Sequence, residues 1–232
     1  SVDADPHLAL AGVVTHFASA DEDDLRDVEE QWTCFQPVLR EVREWAGDAV
    51  WHAANSAAAL WFPPARLDWV RGGLLTYGVP PAPRPLPFPV EPVASLHARI
   101  VQVRDVPAGR SVSYGGTWTT TRPSRLALVP LGYGDGLPWA LSNRGEALVR
   151  GTRVPIRGRV CMDQVVLDVT DVPAGAPVTP GDGVVFIGRQ GEEHITVPEI
   201  AGHAGTIAYE VLTRLAARLP RVPVGLPGRA TP

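Results

Sequence analysis

The chain has 232 residues, of which 45% are hydrophobic and 20% charged, with a formal charge of -4. That is the balance of a folded globular protein. The acidic charge offers nothing to a nucleic-acid backbone, and no apolar run approaches the roughly 20 residues that cross a bilayer as a helix. All 21 basic residues counted as Lys+Arg are arginine, so no side chain can form a Schiff base with an aldehyde cofactor. Cys34 and Cys161 make no disulfide framework, which predicts a reducing, cytoplasmic location. The chain opens SVDADPHLAL, without methionine or a signal-peptide pattern. The residues leave open whether a leader was removed or the chain is a piece of something longer.

In chain order, LAGVVTHF at 10–17 predicts a buried strand. Ser19 and Asp21 are helix-start candidates, and Leu25, Val28, Trp32, Phe35, Leu39, Val42 and Trp45 recur at helical spacing. Pro37 should kink or divide that helix. AVWHA at 49–53 predicts a second strand, NSAAALWF a short helix ending before Pro63, and 69–78 a third strand. This alternation is the rhythm of a parallel α/β unit. Residues 80–92 hold seven prolines in thirteen positions and predict an extended linker. Beyond it, 96–106, 124–131, 147–150, 153–160, 164–170 and 183–188 are short strand-like runs separated by turn signals, the pattern of an all-β domain. Helices are predicted at 197–203 and 206–218.

The expected class is therefore α/β plus all-β, divided as 1–79, a proline-rich linker 80–94, and a C-terminal β-domain 95–232. A closed (β/α)8 TIM-type barrel needs about 250 residues. If residues 1–79 belong to one, they are its C-terminal part, and roughly 150 residues are missing from its front.

Seven segments carry the chemistry: THFASAD at 15–21, HAANSAAAL at 52–60, VRGGLLTYG at 70–78, VSYGGTW at 112–118, PLGYGDGLPWALSNRGE at 130–146, GRVCMDQVVLDVTDV at 158–172 and AGTIAYEVLTRL at 204–215. In this order and spacing they resemble the alanine racemase family from about residue 10 to 225. The resemblance implies a (β/α)8 barrel followed by a β-domain, pyridoxal 5'-phosphate at the barrel mouth, and a homodimer with shared active sites. It also places the lysine that forms the cofactor aldimine on a barrel strand absent here.

Residue by residue, the resemblance implies that His16 stacks on the pyridine ring. It implies that Asn55, Ser56, Gly73, Leu74 and Tyr209 serve the phosphate, although Asn55 and Ser56 read equally as a helix N-cap. Arg71 would face the pyridine nitrogen and, being unable to lose its proton, would keep that nitrogen unprotonated. Tyr114 would be the acid/base on one face of Cα. Met162 and Asp163 would meet the substrate carboxylate, and Tyr133 with Asp135 would line the entrance. No metal is implied.

The activity implied is interconversion of L- and D-alanine, supplying D-alanine for peptidoglycan, by a two-base mechanism of which this chain carries one base. Other readings are a racemase for another small amino acid such as serine, a non-catalytic dimerisation module, and a lysine-free paralogue that binds the cofactor noncovalently.

Overall fold

The structure is a computed structural model that describes residues 5–46, 48–173, 175 and 177–225. The first four residues and 226–232, the extremities of the expected first and last domains, lie outside the described residues. Contacts divide the chain into two compact units, Ser1–Val93 and Ala94–Pro232.

The first unit holds strands β1 (Gly12–Val14), β2 (Val50–Asn55) and β3 (Trp69–Arg71), with α1 (Arg26–Arg43) and α2 (Ser56–Trp61) between them. The strands are parallel in the order β1-β2-β3. Val14 pairs with His52 and Asn55 with Arg71, and a register shift separates His52 from Asn55. α1 and α2 cover one face. Phe17, Val28, Ala53, Ala54, Ala57 and Ala58 are buried there, with Trp32 and Phe35 packed against them. The Phe62 ring meets Phe17 edge-on at 6.0 Å and Trp32 at 6.1 Å, arrangements that aromatic quadrupoles favour.

Three expectations for this unit need correction. α1 starts at Arg26, with Leu25 in the capping position and no side-chain cap, not at Ser19 or Asp21. The Asp24 carboxylate instead accepts the Arg26 N–H at 3.0 Å. Pro37 lies inside α1 without dividing it; the carbonyl it leaves without a donor belongs to Thr33, which is exposed to water. The third strand stops at Arg71, and Leu74–Tyr77 forms a 3-10 turn. The proline-rich stretch has no regular structure but is held within this unit. Arg84 pairs with Asp23 at 3.0 Å and lies 4.9 Å over the Trp61 ring. The other strand face, which Val14, His52 and Trp69 share by register, is bare: Val14 and Trp69 are each more than half exposed.

The second unit contains strands β4 (Leu96–Arg99), β5 (Gln102–Val106), β6 (Ser111–Val112), β7 (Trp118–Thr119), β8 (Ser124–Val129), β9 (Glu146–Val149), β10 (Thr152–Pro155), β11 (Val165–Asp168), β12 (Gly183–Gln190) and β13 (Glu193–Ile195). Helices α3 (Val197–Ala204) and α4 (Ala208–Thr213) follow. All these pairings are antiparallel. β12 joins β4, β9 and β13, while β8 lies between β5 and β11. Ala127, Leu148, Ile156, Leu167, Phe186 and Ile195 are fully buried between the sheets. The single strand expected over 96–106 breaks into two at Ile100 and Val101, and the helix expected over 206–218 stops at Thr213. Past it the Ala216 N–H bonds the Asp135 carbonyl at 3.0 Å, which draws the chain away from a helical path.

One ionic hub braces this unit. Arg153 pairs with Glu146, Glu193 and Glu199 and donates to the His194 carbonyl. Among the described residues no helix is long and apolar enough to cross a membrane.

Candidate active site

In the first unit the candidate residues gather at the C-terminal ends of the three parallel strands, where α/β sheets place their ligand sites. Arg71 sits at the end of β3. Its guanidinium donates to the carbonyls of Thr15 at 2.9 Å, His52 at 3.1 Å and Ala53 at 3.1 Å. The same group meets His52 Nδ1 at 2.8 Å and His16 Nδ1 at 3.0 Å. One permanently charged fork thus ties together the ends of β1, β2 and β3. The register shift in β2 makes this possible, because it brings Asn55 opposite Arg71.

Beside the fork, the buried Ser56 Oγ accepts the Gly73 N–H at 2.8 Å. Its hydroxyl proton is therefore left available for another acceptor. Asn55 caps α2, its Oδ1 accepting the Ala58 N–H at 2.9 Å, which is the N-cap alternative for this residue. Leu74 is buried at the start of the following turn. The Ser56 hydroxyl proton and the guanidinium form a donor set that suits an anionic phosphate and a ring nitrogen acceptor. No side chain offers an amine for a covalent link.

In the second unit, Tyr114 stands at the tip of the β6–β7 hairpin and is 72% exposed. Ser113, Gly115 and Gly116 have φ of 63°, 72° and 55°, so the tip is a tight turn that only these backbone conformations allow. The hairpin is fastened at several points to the segment before Met162. Ser113 Oγ donates to the Arg159 carbonyl at 2.7 Å. Asn143 donates to Thr117 Oγ1 at 3.0 Å and accepts the Gly158 N–H at 2.6 Å. The Arg157 guanidinium lies 5.0 Å over the Trp118 ring. Gly158 is required here: a Cβ on it would lie 2.6 Å from the Ser113 Cβ.

Tyr133 and Met162 are exposed on neighbouring segments. The Tyr133 N–H bonds the Cys161 carbonyl at 2.9 Å, and the Gly134 N–H bonds the Met162 carbonyl at 2.9 Å. This approach needs Gly132, whose Cβ would fall 2.2 Å from the Cys161 oxygen. Asp135 is buried and accepts the Gly132 N–H at 2.9 Å. Arg218 pairs with Asp135 at 2.7 Å and with Asp163 at 2.9 Å. Tyr209 lies on α4, partly exposed, its carbonyl accepting from Thr213 Oγ1 at 2.8 Å.

Within the first unit, then, His16, Asn55, Ser56, Arg71, Gly73 and Leu74 converge. Within the second, Tyr114, Tyr133, Met162 and Asp163 sit on segments bonded to one another. Sequence reasoning missed the supports: His52, Asn143 and Arg218. His52 and Asn143 fell inside quoted motifs, but neither has a neighbour in sequence that signals its partner.

The family described as "Alanine racemase, C-terminal domain" matches residues 93–223, and that described as "Alanine racemase, N-terminal domain" matches residues 1–81. Alanine racemase of Halothermothrix orenii is 44% identical over 218 residues, 93% of this chain and 56% of the relative. That of Desulfosudis oleivorans is 46% identical over 221 residues, covering 94% and 56%. Among solved structures, alanine racemase from Bacillus anthracis with bound L-Ala-P superposes with a TM-score of 0.86 at 40% identity, covering 94% of this chain and 56% of that one. Alanine racemase from Bartonella henselae, with covalently bound pyridoxal phosphate, gives 0.81 at 30% identity, covering 93% and 57%. The chain spans a little over half the length of the relatives it matches.

Proposed function

This chain belongs to the alanine racemase family, and on that premise we propose that it is the C-terminal part of a pyridoxal-phosphate-dependent enzyme that interconverts L- and D-alanine. The observation that carries the reading is the Arg71 fork. It is a fixed cation that accepts no proton, held at the strand ends beside a phosphate-compatible hydroxyl. When bound, pyridoxal phosphate supplies a conjugated ring able to take up the electron pair left as a Cα proton departs.

The chain's own residues do the rest. Ser56 Oγ, oriented by the Gly73 amide, would hold the phosphate, with the Leu74 amide and Tyr209 as further donors and Asn55 shaping the turn. His16 presents its ring to the pyridine. Its Nδ1 faces a guanidinium that has no lone pair, so that nitrogen accepts and the ring proton sits on Nε2. Arg71 would donate to the pyridine nitrogen and could not protonate it. With the group bound, this would keep electron withdrawal moderate and favour return of the proton over side reactions. Tyr114 moves the proton on one face of Cα. Met162, through its amide, would receive the substrate carboxylate, with Asp163 meeting it through the adjoining backbone and not its side chain, and Tyr133 lines the way in. Symmetric racemisation needs a second base on the opposite face, and a lysine outside this chain supplies it. In the homodimer Tyr114 serves the partner's site.

The test is direct. The enzyme with its upstream barrel segments should convert either alanine enantiomer to the racemate in the presence of pyridoxal phosphate. Absence of interconversion in a folded, cofactor-loaded protein overturns the reading.

A further inference from the structure

Arg218 lies in the tail beyond α4. The tail is folded on itself, because Arg221 donates to the carbonyls of Leu215, Ala216 and Leu219 at 3.0, 3.2 and 3.0 Å. From this base Arg218 extends two different nitrogens to two carboxylates, Nε to Asp135 Oδ1 at 2.7 Å and Nη2 to Asp163 Oδ1 at 2.9 Å. The two carboxylates differ. Asp135 is buried and closes the Tyr133 turn; Asp163 is exposed and directly follows Met162. The segments carrying them are already joined by the Tyr133 and Gly134 amides. Among the described residues, Arg218 is the one side chain that links those two carboxylates.

We propose that Arg218 is a positioning residue for the substrate: it locks the Tyr133 turn to the Met162–Asp163 loop and neutralises charge that Asp163 would otherwise hold against an incoming carboxylate. The second half of this statement rests on the racemase reading; the clamp itself does not. The trio of side chains carries one net negative charge, and without the guanidinium it carries two. An anionic substrate approaching the Met162 amide then meets repulsion, and the loop that offers the amide loses its brace. The Cα chemistry, which falls to other residues, is spared. A bidentate guanidinium is not matched by an ammonium group, which is a single point charge.

The experiment uses the full-length enzyme with pyridoxal phosphate and two independent readouts. Arg218→Met should raise KM for alanine about tenfold or more and change kcat by less than about threefold, the pattern of lost ground-state binding. Arg218→Lys should fall between. Adding Asp163→Asn to Arg218→Met should recover much of the lost KM, because the repelling charge is gone. The second readout is the rate at which Ellman's reagent modifies Cys161, located by peptide mapping apart from Cys34. A loosened loop should speed Cys161 several-fold without affecting Cys34. Unchanged KM together with an unchanged Cys161 rate overturns the proposal, as does an equal loss in kcat and KM that Asp163→Asn cannot relieve. Should Arg218→Met fail to fold, Asp163→Ala alone breaks the outer pair and leaves buried Asp135 satisfied. It must then raise the Cys161 rate, or the clamp is refuted. A wild-type enzyme that does not interconvert alanine enantiomers refutes the racemase reading, while the Cys161 rates still decide on the clamp.

Discussion

The guanidinium of Arg71 and the imidazole of His52 meet at 2.8 Å, Nη1 to Nδ1. Arg71 also takes three main-chain carbonyls from two neighbouring strands. A buried acceptor that loses its partner costs about 1–3 kcal/mol. Arg71→Ala should therefore destabilise the first unit by about 2 kcal/mol or more, and Arg71→Lys should rescue little of it, since one ammonium group cannot span five acceptors. Urea unfolding of the chain measures this; a midpoint shift within error would show that water replaces the fork without loss.

The chain as given should form no internal covalent adduct with pyridoxal phosphate, because it contains no lysine. Borohydride reduction followed by peptide mass spectrometry is the check. A stable adduct on any internal residue contradicts the expectation.

Tyr114→Phe, made in the enzyme with its upstream barrel, should retain fold and cofactor and lose roughly 10²–10⁴-fold in racemisation, the usual contribution of a general acid/base. The loss should be lopsided. Cα–deuterium exchange from one enantiomer should collapse while exchange from the other persists. Equal losses for L- and D-alanine would remove Tyr114 from the role of one-face base.

The second unit should lose stability on mild acidification. Burial, with the Arg189 charge, holds the His194 imidazole below its ordinary value near 6.5. Burial alone pushes the Glu199 carboxyl up, but the hydrogen bond and charge of Arg153 hold it below its ordinary value near 4.5. In both cases the unfolded chain takes protons that the folded chain declines, so stability is full at high pH and falls with pH. The decline should begin near the imidazole's ordinary value and steepen below the carboxyl's. Thermal melts from pH 8 to pH 4 test it, and His194→Gln should flatten only the upper part.

The first unit should exchange its amide hydrogens faster than the second. β1 and β3 are both edges of a three-stranded sheet with one bare face, whereas β8 and β12 are each paired on both sides. Segment-resolved hydrogen exchange showing equal protection of β2 and β12 would make the first unit self-sufficient.

Long periodic elements were legible in the sequence, and short or tertiary ones were not. The spacing from Leu25 to Val42 announced α1, and valine-rich runs announced β8, β11 and β12. The two-residue strands β6 and β7 carry too few side chains to show alternation. β3 was overread because Leu74, Leu75 and Tyr77 look like strand residues, although the chain turns at Gly72 and Gly73. The helix over 206–218 was overread because its apolar face continues to Leu219, while a bond to Asp135, distant in sequence, ends it. Among the candidate site residues, His16, Arg71 and Tyr114 stand out in the sequence through their motifs. Arg218 was not, since its partners lie 83 and 55 residues away and no local pattern encodes such a reach.

The turn that carries Tyr114 has a thermodynamic corollary. Three of its four residues adopt left-handed backbone angles, and the hairpin beneath is stapled to its neighbours by Ser113, Asn143 and the Trp118 ring. The phenol is therefore presented by a support whose ordering entropy was spent during folding. Any surface that receives it gains contact area without immobilising a loop, at a saving of about 0.5–1.5 kcal/mol for each side chain already fixed. Association through this tip should proceed as a rigid-body encounter, with a heat-capacity change accounted for by the area covered and no added contribution from coupled folding.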